Sequence, residues 1–218
     1  EDILKMKKLL LILSAFIYFI SYAQQDSSAL AHQFQSEDKW VDSVYLSLNQ
    51  TERIAQLLMV RANNAREDYF PEISNYIKKY KIGGVCYFGS GAAQQAIQNN
   101  AWQEISDIPL LTAIDGEWGL GMRLDSTISF PYQMTLGAIQ NDSLIFEMGQ
   151  EIGKQCRRIG LHINFAPVVD ININPKNPVI NSRSFGDNKI NVANKAIAFL
   201  EGMQSQDILA SAKHFPGH

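Results

Sequence analysis

From residue 40 to the end of the chain, helical stripes of apolar residues alternate with short unbroken apolar runs. Ile54, Leu57 and Leu58 recur at i, i+3 and i+4 behind the polar start signal Asn49-Gln50-Thr51-Glu52. The spacing predicts a helix from Trp40 to Leu58, with Leu57 to Val60 turning into a first strand. Pro71 opens the next helix, which carries Ile73, Tyr76, Ile77 and Tyr80 on one face and stops at Gly83-Gly84. Val85 to Phe88 is a β-type run closed by Gly89-Ser90-Gly91. Ala92 to Ile105 is helical, with Ala93, Ala96, Ile97 and Trp102 available for packing.

Pro109 to Ile114 is a buried strand that ends at Asp115. A long helix, Leu144 to Ile159, presents Leu144, Ile145, Met148 and Ile152 and stops at Gly160. Ile163 to Val169 is another apolar strand, followed by an Asn- and Pro-rich loop from Asp170 to Asn188. Val192 to Met203 is helical and Ile208 to Ala212 is a last strand. Helix and strand alternate without hairpin signals, which implies a parallel sheet covered by helices. The strands are apolar on both faces, as buried parallel strands are. The fold class is therefore α/β. About five β/α units are present, against the eight of a closed barrel of ~250 residues. An open doubly wound sheet is the other architecture, but no Gly-x-Gly-x-x-Gly follows a strand.

The start of the chain reads differently. Met6, Lys7 and Lys8 precede an apolar run from Leu9 to Ile20 and then Ser21-Tyr22-Ala23, the pattern of a secretory signal peptide. The run is short for a membrane span of ~20 residues. Residues 1–23 are thus expected to be upstream residues and a signal, 24–39 a polar leader, and 40–218 the folded domain. The reading places the protein outside the cytoplasm, periplasmic or extracellular, with no stable membrane insertion after cleavage. Cleavage after Ala23 removes three lysines and two acids, so the net charge moves from −3 to −4. That argues against a nucleic-acid surface. Cys86 lies in a strand-like run and Cys156 in a helical one. Two separate buried thiols are favoured over a bridge, although export would permit one.

The chemistry gathers where strands end. Asp115 sits in Asp115-Gly116-Glu117-Trp118-Gly119, with Arg123 eight residues on. Asp170 closes Pro167-Val168-Val169-Asp170, Arg183 lies in Asn181-Ser182-Arg183-Ser184-Phe185-Gly186, and Lys213-His214 follows the last strand. In a parallel barrel all strand C-termini open on one face, so these groups converge there. A carboxylate can accept from two neighbouring hydroxyls, while an Arg fork, a Lys and a His donate to others. Such a ring suits a sugar, with Trp118 or Phe215 against its apolar face.

These motifs resemble glycoside hydrolase family 3, and most closely its β-N-acetylhexosaminidase branch. The resemblance runs from about residue 45 to the end and rests on Asp115 to Gly119 with Arg123, Asn164 to Asp170, Arg183 to Gly186, and Lys213-His214-Phe215-Pro216-Gly217-His218. It implies a (β/α)8 TIM barrel of which this chain is the N-terminal part, truncated at its C-terminus. It implies that Asp115, Arg123, Arg183, Lys213 and His214 hold the non-reducing sugar. It implies a retaining hydrolysis of terminal β-linked N-acetylglucosamine, with no cofactor and no metal. Retention needs a nucleophile and an acid/base group. The resemblance puts both, an Asp and a His, beyond residue 218, so the sequence in hand is expected to be inactive by itself.

Other readings of single residues stand beside this one. Asp115 before Gly could cap a turn. Glu117 has no role in the resemblance and reads as solvated or structural. Arg183 could tie down its loop through carbonyls, and Asp170 reads as a brace for the loop rather than a substrate contact. His214 and His218 are four apart, a zinc-like spacing, but Pro216 and Gly217 break any helix between them. At the level of function, a β-glucosidase or β-xylosidase of the same family and a non-catalytic sugar-binding barrel are the alternatives.

Overall fold

The computed structural model describes residues 39–63 and 68–218. The expected signal peptide and most of the expected leader lie outside the described residues. Among the described residues no helix is long and apolar enough to cross a membrane. The chain divides into two units between Ser47 and Leu48. In the first, helix α1 (Lys39–Ser47) ends with the Ser47 hydroxyl donating to the Val44 carbonyl at 2.8 Å.

The second unit opens with α2 (Gln50–Ala55). The expected single helix from Trp40 to Leu58 is therefore two. Asn49 takes extended backbone angles and caps α2: its side chain accepts from the Glu52 N–H at 3.0 Å while the Glu52 carboxylate accepts from the Asn49 N–H at 2.9 Å. This reciprocal box begins a helix rather than continuing one. Among the described residues four β/α units and a fifth strand follow: β1 (Met59–Asn63), α3 (Tyr69–Tyr80), β2 (Gly84–Phe88), α4 (Ala92–Glu104), β3 (Leu111–Ile114), α5 (Gln133–Gly137), α6 (Ser143–Arg158), β4 (Ile163–Asn164), α7 (Lys189–Gln204) and β5 (Leu209–Ala210). The strands form one sheet in the order β1-β2-β3-β4-β5, and every neighbouring pair is parallel. Sequential order with parallel pairing is what repeated right-handed β-α-β crossovers produce along a barrel wall.

The core forms between sheet and helices. Ile73 and Ile77 of α3, Ile145 and Ile152 of α6, and Phe199 and Met203 of α7 are all buried, beside Val85 and Tyr87 of β2. Trp102 of α4 is fully enclosed; its ring lies 5.1 Å from Phe70 and 5.9 Å from Tyr87, and its indole N–H donates to Ser74 Oγ at 3.0 Å. Cys86 and Cys156 are separate, buried and free. Burial pushes the thiol pKa of each up to about 12.

Several local expectations change. Pro71 is the third residue of α3, within the first turn, where its missing N–H costs nothing. In α4, Ile97 is exposed and Gln95, Gln98 and Asn99 face inward instead. Two of these three have specific partners: Gln98 donates to the Tyr69 hydroxyl, and Asn99 donates to the Gly160 carbonyl at 3.0 Å. Leu144 at the start of α6 is also exposed. The strand expected over 163–169 pairs as a ladder only at Ile163 and Asn164. Pro167 has no N–H to give a ladder. Beyond it the chain resumes one bridge, Val168 to Lys213, with the Val169 N–H donating to the Lys213 carbonyl at 2.6 Å and the Lys213 N–H to the Pro167 carbonyl at 3.0 Å. That bridge carries Asp170 and Lys213-His214 side by side out of the sheet.

Candidate functional site

The loop after β3 is shaped by Asn164 at the end of β4. Asn164 is fully buried; its Oδ1 accepts from the Gly116 N–H at 2.9 Å and its Nδ2 donates to the Gly116 carbonyl at 3.1 Å. Both backbone groups of Gly116 are thereby satisfied inside the protein, and Asp115 and Glu117 are fixed on either side of it. Gly119 then turns the chain at φ +89, where a side chain would also strike the Phe130 ring. A 3₁₀ turn, Leu120–Met122, brings Arg123 back toward Asp115.

Four of the five expected site residues form one ionic network. Arg123 donates through Nε to the Asp115 carbonyl at 2.9 Å and through Nη2 to Asp115 Oδ2 at 2.5 Å. Lys213 Nζ bonds Asp115 Oδ1 and also lies 2.7 Å from Glu117 Oε1. Arg183, at the end of the 3₁₀ turn Asn181–Arg183, donates Nε to Glu117 Oε2 at 2.9 Å and Nη2 to Glu117 Oε1 at 2.7 Å. It also donates to the Val179 carbonyl at 3.1 Å, so it ties its loop as well as meeting the network. The Arg123 guanidinium stands 4.6 Å over the Phe88 ring.

His214 belongs to a second cluster at the same strand ends. Its Nδ1 lies 2.6 Å from Asp170 Oδ2, and its backbone N–H donates to the same oxygen at 3.2 Å. Asp170 Oδ1 accepts from the His218 N–H at 2.7 Å. The Asp170 carboxylate thus braces residues 214–218 rather than the Asn- and Pro-rich loop that the sequence suggested. A carboxylate can only accept, so Nδ1 carries the proton that meets Asp170. The two clusters are close enough for Asp115 and Asp170 to raise the Arg183 pKa, although its hydrogen bond with Glu117 is the largest cause.

The carboxyls are tuned in one direction. Burial pushes the Asp115 carboxyl up, but hydrogen bonds and charge from Lys213 and Arg123 outweigh it and hold it below its ordinary value. Glu117 behaves alike: burial opposes, Arg183 and Lys213 win. In Asp170, burial is again outweighed, here by the His214 side chain and the His218 N–H. These groups remain charged at neutral pH, which suits acceptors and counter-ions rather than proton donors.

One expectation is corrected by these contacts. Glu117, read as solvated or structural, is 0% exposed and sits at the centre of the network, so the solvated reading fails. Its sequence signal was weak, because an acid two residues past Asp115 in a Gly-rich loop gives no indication of burial. Trp118 packs its ring edge-on against Tyr132 at 4.6 Å, while Phe215 is 98% exposed and packs on nothing.

Comparison with known proteins places this geometry. Residues 50–218 match the family model described as the glycosyl hydrolase family 3 N terminal domain. The chain belongs to glycosyl hydrolase family 3. Among curated family relatives, it is 37% identical over 161 residues to the beta-hexosaminidase A of Pseudoalteromonas piscicida, covering 68% of this chain and 27% of that protein. It is 32% identical over 177 residues to the beta-hexosaminidase LpqI of Mycobacterium tuberculosis, covering 78% of this chain and 44% of the relative. Among solved structures, a family 3 beta-N-acetylglucosaminidase from Paenibacillus superposes with a TM-score of 0.70 at 35% identity, over 78% of this chain and 34% of that one. The family 3 chain described here therefore spans less than half the length of these relatives. Its parallel five-stranded α/β sheet is the barrel-type fold of its family 3 neighbours.

Proposed function

We propose that this chain is the sugar-binding part of a retaining β-N-acetylhexosaminidase that removes a terminal, non-reducing N-acetylglucosamine in the full-length protein. The observation that carries the reading is the gathering of Asp115, Arg123, Lys213 and Arg183 into one network around Glu117, beside the His214–Asp170 pair. In this reading the exposed lone pairs of Asp115 accept from vicinal hydroxyls, Arg123, Arg183 and Lys213 donate, and His214 Nε2 takes a further hydroxyl proton. Hydrogen bonds to charged groups contribute about 1.5–3 kcal/mol each, enough for three or four to fix one sugar.

The same network argues against catalysis by these groups. A retaining site needs a proton donor and a free nucleophile. Asp115 and Glu117 are held as ion-paired carboxylates, and Asp170 is occupied by His214 and His218. We therefore assign both catalytic roles to residues beyond 218. The names of the relatives support the hexosaminide. One of them, from Cellulomonas fimi and 29% identical over 178 residues, is named beta-N-acetylglucosaminidase/beta-glucosidase, which favours a β-glucoside as the second reading. The test is release of chromophore by the full-length protein from an aryl N-acetyl-β-glucosaminide and from the matching β-glucoside. Faster turnover of the first is expected; equal or faster turnover of the glucoside would overturn the assignment.

The Lys7-Lys8, apolar-run and Ser21-Tyr22-Ala23 pattern supports export of the mature protein. Amino-terminal sequencing of the protein from a native extract is expected to begin at Gln24, and a start at Met6 would contradict export by cleavage.

A further inference from the structure

Glu117 differs from the other polar groups of the network in being wholly shielded from solvent. It cannot touch a ligand without moving, yet it touches two of the residues assigned to ligand. Oε2 takes the Arg183 Nε, and Oε1 takes both Arg183 Nη2 and Lys213 Nζ. An Arg fork with an ammonium beside it is the donor set that recognises carboxylates and phosphates. Here that receptor is already filled, and it is filled by the protein. In this network Arg123, Arg183 and Lys213 stand against Asp115 and Glu117, while Asp170 is paired with His214 beside it.

We propose that Glu117 is a positioning residue, a built-in anion that occupies the Arg183–Lys213 receptor, aims both cations at a neutral ligand and keeps anionic ligands out. The inference rests on the sugar-binding reading of the site and adds its charge selectivity. Without the carboxylate, Arg183 and Lys213 lose their common anchor, and the mouth of the sheet gains a positive charge and an empty anion seat.

The test uses the full-length protein as wild type, Glu117→Gln, Glu117→Ala, and Glu201→Ala as a control on the exposed face of α7. Hydrolysis of an aryl N-acetyl-β-glucosaminide is followed in chloride, in acetate and with added inorganic phosphate, at one ionic strength. Wild type and Glu201→Ala are expected to perform alike in all three. Both Glu117 variants are expected to lose on the order of 10²-fold in kcat/KM, the size of effect that misplaced binding groups produce. Acetate, unlike chloride, is expected to restore Glu117→Ala by at least about tenfold as its carboxylate refills the seat, and phosphate to inhibit Glu117→Gln competitively with a Ki about tenfold below that for wild type.

Unchanged kcat/KM in the variants would overturn the proposal. So would a loss with no acetate recovery and no change in phosphate Ki, which is what a purely structural role predicts. If Glu117→Ala does not fold, the phosphate Ki of the isosteric Glu117→Gln decides. If the wild type hydrolyses no sugar, the functional reading fails by itself. Calorimetric phosphate binding then decides the inference: binding to Glu117→Gln but not to wild type upholds it, and equal binding overturns it.

Discussion

Glu117 and Arg183 lie 66 residues apart in the sequence and share two hydrogen bonds, Nε to Oε2 at 2.9 Å and Nη2 to Oε1 at 2.7 Å. One fork therefore ties the loop after β3 to the long loop after β4, with Lys213 from the end of β5 joining the same carboxylate. Three strand ends depend on each other at a single acid. Breaking such a buried pair by removing one partner costs far more than the pair itself contributes, because the other charge remains buried.

Asn164→Ala should expose this dependence without touching an ionic group. The substitution leaves the Gly116 N–H buried without a partner, while the Gly116 carbonyl keeps the Gly119 N–H at 3.2 Å. An unsatisfied group of this kind costs about 1–3 kcal/mol. Urea unfolding of the full-length protein is expected to show a loss of that size, with a fall in kcat/KM as Asp115 and Glu117 drift. A variant with unchanged stability would mean that Gly116 is not held as described.

Acid should weaken the fold. Asp115, Glu117 and Asp170 are all held below their ordinary values. A depressed carboxyl binds fewer protons in the folded than in the unfolded state through the acid range, so stability rises with pH there. Its contribution is complete above the unfolded value near 4 and is lost as pH falls through the folded value. The urea midpoint is expected to drop as the pH is taken below about 5, and less steeply in Glu117→Gln. A midpoint that stays level on acidification would contradict the ion-pair network.

Gly137→Ala tests a close approach behind Arg183. A Cβ on Gly137 would meet the Phe185 carbonyl oxygen at 1.9 Å, and that neighbour is backbone. Overpacking of this kind costs about 1–3 kcal/mol. Because Phe185 is two residues from Arg183, the expected signature is a lower Tm together with a raised KM for the aryl hexosaminide. A lower Tm with unchanged KM would separate the α5 contact from the site.

How much of this was legible beforehand follows from the kind of signal each feature leaves. The parallel order and the positions of β2 and β3 could be read because each is a short apolar run, whereas β1, expected over 57–60, lies at Met59–Asn63, where Arg61 and Asn63 interrupt the apolar pattern. The ends of β4 and β5 could not, because Pro167 breaks the ladder inside a run that still looks apolar. The inward Gln98 and Asn99 of α4 invert the rule that apolar residues pack inside, and only their partners Tyr69 and Gly160 reveal why. In the site, Asp115, Arg123, Arg183 and Lys213 could be picked out by motif and by their place after strands. Glu117 could not be given its place, since its importance lies in total burial between two cations that arrive from other loops. The break at Asn49 was written in the capping signal itself, and the stripe Ile54, Leu57 and Leu58 begins only after it.

The thiols give a simple check of burial. Cys86 and Cys156 are buried with pKa values pushed up to about 12. Only the thiolate reacts with alkylating reagents. Labelling at about pH 8 is expected to be slow in the folded protein and complete in denaturant. Fast labelling of Cys86 under native conditions would mean that the sheet opens beside Asp115.

The most direct measurement of the central claim is a crystal structure of the full-length protein with N-acetylglucosamine bound. The account predicts ring hydroxyls within about 3.2 Å of the Asp115 carboxylate, Arg183, Lys213 and His214 Nε2. A sugar seated elsewhere, with those side chains still paired only to one another, would contradict it.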